Sequence, residues 1–343
     1  MLIRYGLLAV VCHHIPPAAV RPAEPTGFSR FEFESKHMGT TFRVVLYAAD
    51  AAVAKTAAAA AFARVADLDA KLSDYKADSE LMRLCAAFKT RVGDPVPVSD
   101  DLFAVLAAAG ELSKASGGAF DVTVGPVVQL WRHTRRTQQF PDKDELAAAL
   151  GKVGYDRVRL DPKSRTVRLT TAGMQLDLGG IAKGYAADEA LKRLREKFRI
   201  TRALVAASGD ITCGDPPPGK DAWVVDIAPI AKGQKPRTLA LANAAVSTSG
   251  ELEQFVEIGG VRYSHVVDPK TGLGLTGRRS VTVIARSGIT ADSMTKAVML
   301  MPRAAALELV EATAGVAALI VVVGESEALE TTASERFGSY LAK

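Results

Sequence analysis

The stretch Gln175–Leu191, QLDLGGIAKGYAADEAL, constrains the fold of this chain more than any other. Its first part alternates apolar and polar side chains, a pattern that predicts a β-strand. The apolar positions, starting one residue earlier, are Met174, Leu176 and Leu178. The pair Gly179–Gly180 predicts a tight turn that a ligand can approach, because glycine has no side chain to obstruct it. Apolar residues at helical spacing follow, so we expect a strand–turn–helix unit.

In this unit Asp177 ends the strand and Lys183 opens the helix. The N–H groups of a helix N-terminus, together with a nearby ammonium group, favour a negatively charged ligand such as a phosphate. The alternative is a structural strand–turn–helix whose glycines only make the turn. The local pattern supports both interpretations equally.

Residues 1–25 differ in composition from the rest of the chain. Arg4 is followed by a short apolar run and then by a segment rich in proline and alanine. We expect an export signal or a disordered N-terminus here, since the run is too short to span a bilayer. Lipidation of Cys12 is an alternative, although Val11 precedes it where a small residue is favoured. Because the remainder contains no long linker, residues 26–343 are predicted to form a single domain.

The charge pattern argues against nucleic acid as a partner. The 343-residue chain has a formal net charge of +5, and only 6% of its residues are aromatic. Its lysines and arginines are scattered, whereas nucleic-acid-binding surfaces usually concentrate them on one face. A mildly basic surface is enough for an anionic small ligand.

The cysteines predict neither a zinc site nor a disulfide framework. Cys85 and Cys213 lie far apart, and the sequence has no CxxC pair or Cys/His spacing typical of zinc sites. We expect both to be buried small apolar residues. A single disulfide between them is the alternative in an oxidising compartment.

Helical and extended segments occur in runs, which predicts an α+β fold rather than a strictly alternating one. The alanine-rich segment Ala51–Leu72 predicts a long helix, because alanine has the highest helix propensity. Val158–Leu178 predicts a three-strand meander. Ala291–Leu300 predicts a late helix.

Two further residues have both a structural and a functional interpretation. Asp292 would lie in the first turn of the late helix, with Thr290 as N-cap, where a negative charge complements the helix dipole. It could instead supply an oxygen ligand to Mg²⁺. His265 is either an ordinary strand residue or a general base, since the unperturbed pKa of histidine lies near neutral.

Eight short motifs occur in order along the chain. They are MGTTF (38–42), LSDYKADSEL (72–81), GGAFDVTVGPVVQLW (117–131), DLGGIAKGYAAD (177–188), SGD (208–210), VSTSG (246–250), YSHVVDPKTG (263–272) and ADSMTKA (291–297). This series resembles the ApbE family, the FAD:protein FMN transferases, over roughly Phe31–Val323. Chance is a poor explanation for so many motifs in the family's order.

The resemblance implies a two-lobed α+β fold, with mixed or antiparallel sheets flanked by helices and an FAD cleft between the lobes. It implies cleavage of FAD with Mg²⁺, transfer of FMN to a Thr or Ser hydroxyl of an acceptor flavoprotein, and release of AMP. It also implies a periplasmic or exported protein, in agreement with the interpretation of residues 1–25. Contact with the inner membrane would be limited to an N-terminal anchor.

The resemblance further implies which residues bind FAD. Met38 and Tyr75 match positions that contact the flavin or adenine ring, and Ala119, Phe120 and Asp121 match the adenosine side of the cleft. Asp177 and Lys183 match further FAD contacts, with Lys183 near a phosphate. His265 matches a position near the phosphates.

The implied catalytic residues are His265, as the base for the incoming hydroxyl, and Asp292. The implied metal ligands are the backbone carbonyl of Gly180 and the carboxylate of Asp292.

Two positions depart from the family's pattern. Lys296 stands where the family commonly has a metal-binding threonine, and Ser208 begins SGD where GGD is usual. Thr295 cannot take over, because one helical position rotates a side chain by about 100°. An ammonium group at a metal site would repel Mg²⁺ or replace its charge. The alternatives to a transferase are therefore an FAD-binding protein without transfer activity and an FAD pyrophosphatase.

Overall fold

The computed structural model describes residues 27–230, 236–250, 255–324 and 327–342. The export signal predicted at 1–25 lies outside the described residues. The described helices are α1 (Ala51–Leu72), α2 (Glu80–Ala87), α3 (Asp100–Ala115), α4 (Gly125–Thr137), α5 (Lys143–Leu150), α6 (Ala182–Phe198), α7 (Gly288–Leu300) and α8 (Arg303–Ala312). Short 3₁₀ turns span Val122–Val124, Tyr155–Arg157 and Glu335–Tyr340.

The described strands are β1 (Ser29–His37), β2 (Thr40–Ala48), β3 (Val96–Pro97), β4 (Val158–Asp161), β5 (Thr166–Leu169), β6 (Ala203–Ala207), β7 (Asp210–Cys213), β8 (Trp223–Ile227), β9 (Arg237–Leu241), β10 (Ala244–Gly250), β11 (Phe255–Ile258), β12 (Val261–Val267), β13 (Gly274–Thr276), β14 (Arg278–Ala285), β15 (Ala317–Val323) and β16 (Leu329–Ala333).

An eight-stranded sheet with the order β1-β2-β6-β7-β10-β14-β15-β16 forms the centre of the fold. Every strand pair that the structure describes is antiparallel. Strand β6 is buried along its whole length, because both faces of this central strand are covered. The α+β fold class predicted from the sequence is confirmed.

Alternate residues of the sheet pack into different cores, as the period of two of a β-strand requires. In β2, Phe42, Val44 and Leu46 face helices α1 and α6, whereas Val45 faces the opposite side. Helices α7 and α8 continue the helical layer over β14 and β15. The hairpin β8–β9 and the 3₁₀ turn at Glu335–Tyr340 cover the opposite face.

Helix α1 has the bounds that its alanine-rich sequence predicts. Its N-cap is Asp50, whose side chain accepts a hydrogen bond of 2.9 Å from the backbone N–H of Val53. Ala54, Ala57 and Ala61 are fully buried. Such small side chains allow α1 to pack closely against α6, the helix that follows the Gly179–Gly180 turn.

A smaller lobe forms around Trp131 of α4. Helices α4 and α5 pack there against the sheet β11-β12-β13. The indole N–H of Trp131 donates a 2.7 Å hydrogen bond to the carbonyl oxygen of Gly272, and its ring packs against Tyr263. These contacts fix the position of β12, which carries His265, relative to α4.

The prediction of a strand ending at Leu178 is wrong. The described residues 174–178 lie outside the strands, and the sheet β3-β5-β4 takes its third strand from Val96–Pro97 instead. Met174, Leu176 and Leu178 are nevertheless all buried, as their alternation predicts. Separate hydrogen bonds hold the segment, including one of 2.8 Å from the N–H of Asp177 to the carbonyl oxygen of Val122. A period of two predicts alternate burial but not a hydrogen-bonded neighbouring strand.

Cys85 and Cys213 are buried free thiols, so the prediction of buried apolar residues is confirmed and the disulfide alternative is wrong. Across the described residues, none of the helices combines the length and the apolar composition needed to cross a membrane.

Candidate functional site

A cavity of about 1150 Å³ lies between the central sheet and the smaller lobe. Its wall comes from separate parts of the chain: the β1–β2 turn, the loop before α2, the segment before α4, the start of α6, strands β7, β10 and β12, and α7. The predicted site residues that line it are Met38, Tyr75, Ala119, Phe120, Asp121, Asp177, Gly180, Lys183 and His265. Asp292 differs from them, because its side chain is completely buried behind the wall.

The turn that carries Met38 is set by backbone geometry. Met38 and Gly39 both have positive φ angles, of 49° and 71°. Two successive residues of this kind make the tight hairpin turn that matches the twist of β1 and β2. The turn brings Met38 to the cavity wall.

Asp121 lines the cavity, but its carboxylate is already engaged. One oxygen accepts hydrogen bonds of 2.8 Å and 2.7 Å from the N–H and hydroxyl of Thr123, and the other accepts one of 2.9 Å from the N–H of Tyr155. Burial raises the pKa of Asp121, although these donors oppose the shift. Asp121 therefore holds this part of the wall in shape.

Asp177 shares one guanidinium group with a second aspartate. Arg132 of α4 lies 3.0 Å from Asp177 and 2.6 Å from Asp74. Burial and the negative charge of Asp74 raise the pKa of Asp177 to about 6, against the opposing effect of Arg132. The ring of Tyr75 lies over the same guanidinium, 4.1 Å from its central carbon, and this residue is 76% exposed. An accessible aromatic face therefore borders a charged cluster.

Lys183 lies in the first turn of α6, as the sequence predicts. Its ammonium group forms an ion pair with Asp210 of β7. The hydroxyl of Ser247 donates a 2.6 Å hydrogen bond to the other oxygen of Asp210. Burial lowers the pKa of Lys183, but the charges of Asp292 and Asp210 outweigh it, so the pKa is raised and the side chain stays charged.

Helix α7 begins earlier than predicted, and this corrects the interpretation of Asp292 as a first-turn residue of that helix. The N-cap is Ser287, not Thr290. Asp188 of α6 accepts hydrogen bonds from the N–H groups of Gly288 and Ile289, at 2.6 Å and 3.0 Å. A cap supplied by another helix leaves no local sequence signal.

Asp292 is instead part of a buried ion pair. The ammonium group of Lys296 contacts one of its carboxylate oxygens, and the N–H of Gly184 donates to the other at 3.0 Å. Burial raises the pKa of Asp292, but Lys296 and Lys183 outweigh it and lower the pKa below its usual value. Within this pair, the lysine is the residue that lines the cavity.

These residues do not fit a Mg²⁺ site. Magnesium requires an octahedron of oxygen ligands at about 2.0–2.1 Å. The carboxylate of Asp292 is buried and paired, and the alkyl chain of Lys296 lies against Gly180, where an added Cβ would be 3.3 Å from its Cγ. Among the described residues, no three His, Cys, Asp or Glu side chains gather where they could hold a metal ion. The predicted ligands Gly180 and Asp292 are brought near one another, but a lysine side chain lies between them.

Three charged residues of the cavity were not singled out from the sequence, namely Asp74, Arg132 and Asp210. Asp74 and Asp210 belong to motifs that carry the resemblance, and Arg132 directly follows one. The motifs therefore indicate that these three residues belong to the site. The ion pairs were not predictable, because their members are distant in sequence and meet only in the folded chain.

The family model described as the ApbE family matches residues 38–320, most of the chain. The chain belongs to the ApbE family. It is 34% identical over 287 residues to the FAD:protein FMN transferase of Haemophilus influenzae, covering 80% of this chain and 82% of that relative. The Escherichia coli K12 protein of the same name is 31% identical over 351 residues, covering 99% and 96%.

Two solved ApbE structures share this fold over more than nine-tenths of the chain. The flavin transferase ApbE from Vibrio cholerae superposes with a TM-score of 0.81 at 27% identity, over 92% of this chain and 100% of that one. The apo form of the Pseudomonas stutzeri flavinyl transferase ApbE gives 0.80 at 29% identity, over 93% and 99%. The predicted two-lobed ApbE fold is thereby confirmed.

Proposed function

We propose that this chain is an FAD:protein FMN transferase, which moves the FMN half of FAD to a Thr or Ser hydroxyl of a target flavoprotein and releases AMP. It is an enzyme of the transferase class, as its curated relatives are by name. The observation that carries the proposal is that one cavity gathers, from distant segments, every residue predicted to contact FAD. Its volume of about 1150 Å³ exceeds the roughly 300–1,000 Å³ of ordinary small-ligand pockets, which suits a dinucleotide and the approach of an acceptor.

The reaction replaces the phosphoanhydride bond between the two halves of FAD with a phosphate ester bond to the acceptor. The acceptor oxygen forms a bond to the phosphorus on the FMN side, while the bond from that phosphorus to the bridging oxygen breaks and AMP leaves with the bridging oxygen. The hydroxyl proton must be removed during this exchange. Catalysis of such transfers depends on positioning and on stabilising the phosphate charge.

Two cavity residues suit these requirements. The half-buried imidazole of His265 on β12 is the base that we assign to the acceptor hydroxyl, because histidine titrates near neutral pH. The ammonium group of Lys183, at the start of α6, stays charged and adds to the positive end of the helix dipole. Together they would orient the diphosphate and receive the proton.

The aromatic end of FAD has a matching surface. Tyr75 offers an exposed ring face at the cavity, and its other side is supported by Arg132. Stacking of a flavin or adenine ring on such a face would hold the ring in place without restricting the phosphates. Ala119 and Phe120 form an apolar part of the same wall.

Residues 1–25 support a proposal about location, namely export to the periplasm with membrane contact only through an N-terminal anchor. Fusing these residues to a reporter that is active only outside the cytoplasm tests it. Reporter activity is expected, and a fully cytoplasmic reporter would contradict export.

The activity is tested by incubating the chain with FAD and a Thr-bearing acceptor domain. We expect release of AMP together with a flavin-fluorescent acceptor band. His265→Ala should abolish the band, whereas His133→Ala, at an exposed position on α4, should leave it unchanged.

Free FMN forming faster than labelled acceptor would favour an FAD pyrophosphatase, and FAD bound without any cleavage would favour a binding protein. Failure to bind FAD at all would overturn the proposal.

A further inference from the structure

Lys296 and Asp292 lie one helical turn apart on α7 and form a closed pair. The ammonium group of Lys296 contacts a carboxylate oxygen of Asp292 and also lies 3.1 Å from its backbone carbonyl oxygen. The other carboxylate oxygen accepts the N–H of Gly184, so both oxygens have donors. Asp292 is completely buried, and it therefore meets the cavity only through its lysine.

The position of this lysine is enforced from the α6 side. An added Cβ on Gly180 would lie 3.3 Å from Cγ and 3.5 Å from Cε of Lys296, so the glycine makes room for the alkyl chain. An added Cβ on Gly184 would collide with the carbonyl oxygen of Gly288 and lie 2.7 Å from Cβ of Asp292. The two glycines therefore allow close packing of the α6 side against α7. Only 16% of the Lys296 side chain stays exposed, and the residue lines the cavity.

A second ammonium group strengthens the positive charge at this point. Lys183 lines the same cavity, and its charge acts on Asp292 as well as on its own partner Asp210. A divalent cation placed beside Asp292 would have to displace one lysine and tolerate the other, since like charges repel strongly where water is scarce. A diphosphate, in contrast, would find a fixed cation already in place.

We propose that Lys296 is the resident cation of this site: its ammonium group, held by Asp292, lies beside the diphosphate of FAD and takes the place of a divalent metal ion. FAD binding by this chain then needs no Mg²⁺. This inference rests on the proposed function, because it assumes that the cavity binds FAD. It differs from the Mg²⁺ requirement that the family resemblance implies.

The first test uses the native chain and needs no variant. FAD affinity is measured by flavin fluorescence in excess EDTA and again with excess Mg²⁺, and Mn²⁺ uptake by the FAD-loaded chain is followed by electron paramagnetic resonance. We expect dissociation constants that agree within about twofold and no bound Mn²⁺. Binding that is at least about tenfold tighter with Mg²⁺, or one tightly bound Mn²⁺ per FAD-loaded chain, would overturn the inference and leave the proposed function intact.

The second test removes the ammonium group. Lys296→Thr should weaken FAD binding in EDTA by about tenfold or more, and Mg²⁺ should restore part of the loss, because Asp292 becomes available as a ligand. Lys296→Arg should retain metal-independent binding. Lys192→Thr is the matched control, since Lys192 also pairs with an acidic residue of its own helix but is 50% exposed on α6.

The outcomes of the second test separate the two proposals. Circular dichroism of each variant shows whether it is folded, and the native-chain measurement stands even if one is not. Unchanged FAD affinity of folded Lys296→Thr in EDTA would overturn the role of Lys296. Absence of FAD binding by the native chain under every condition would overturn the proposed function, and this inference with it.

Discussion

Asp177 and Asp292 are both aspartates shielded from solvent beside basic side chains, yet their pKa values are shifted in opposite directions. Asp177 and Asp74 share the single guanidinium group of Arg132, so two negative charges face one positive charge. Asp292 contacts Lys296 and also experiences the charge of Lys183. Burial raises the pKa of both carboxyl groups, and the charges around each decide the net direction.

The comparison shows how two carboxylates at one site can differ, since Asp177 lines the cavity and Asp292 is buried behind its wall. With a pKa of about 6, Asp177 can gain or lose a proton near neutral pH. Asp292 stays ionised and serves to hold a cation. The first region can therefore adjust its charge when a ligand enters, whereas the second keeps a fixed charge pattern.

The largest expected effect comes from removing the charge of Asp292. Asp292→Asn keeps the shape but leaves the ammonium group of Lys296 without its buried partner. Breaking a buried pair in this way costs about 3–5 kcal/mol of the free energy of unfolding, which urea denaturation measures. The control Glu330→Gln, in an ion pair whose glutamate is 62% exposed, should cost no more than about 1 kcal/mol. Equal losses in the two variants would show that burial of the Asp292 pair has no energetic consequence.

The approach of α6 and α7 gives the next largest effect. Gly184→Ala places a methyl group against the carbonyl oxygen of Gly288 and near Cβ of Asp292, so the helices must separate. We expect a loss of about 1–3 kcal/mol in unfolding free energy and weaker FAD binding. Gly110→Ala in α3 is the control, because its added methyl group meets open space and alanine favours a helix by about 1 kcal/mol. A stabilising Gly184→Ala would contradict the close contact.

The raised pKa of Asp177 predicts a pH dependence of stability. Because the folded carboxyl group binds its proton up to about pH 6 and the unfolded one only to about pH 4, Asp177 contributes less stability as pH rises through this window. Relative to Asp177→Asn, which does not titrate, the native chain should lose about 2 kcal/mol between pH 4.5 and pH 7. Chemical denaturation at both pH values measures this difference. The contrast with Asp292 would be removed if the unfolding free energy of the native chain, relative to that of Asp177→Asn, were the same at both pH values or larger at pH 7.

The smallest effect on stability is expected at Tyr75. Tyr75→Ala removes an exposed ring from Arg132 and should cost about 0.5–1 kcal/mol of unfolding free energy. FAD affinity should fall by about tenfold, since stacking on an aromatic ring is worth about 1–3 kcal/mol. Titration of FAD followed by its fluorescence measures the affinity. Unchanged affinity would remove Tyr75 from the predicted ring contacts and weaken the assignment of this region to the aromatic end of FAD.

The sequence predicted the parts of the fold that local patterns govern. The long helix Ala51–Leu72 follows from alanine propensity and has the predicted bounds. The burial of Met174, Leu176 and Leu178 follows from their alternation. The strand predicted there does not form, because strand pairing depends on a neighbouring strand that the local pattern does not specify. The predicted start of α7 is wrong for a similar reason, since the carboxylate that accepts its first N–H groups belongs to Asp188 of α6.

The local sequence specifies four features of the site: the Gly179–Gly180 turn, Lys183 at the start of a helix, His265 in a strand, and Lys296 one turn after Asp292. The protonation states of these residues and their contacts with other segments depend on the folded chain. Folding buries Asp292 with its i+4 partner Lys296, brings the charge of Lys183 near it, and places Lys296 against Gly180. Helical periodicity acts over a few residues and sets the spacing of Asp292 and Lys296, whereas burial and the charges of other segments act only when the chain is folded.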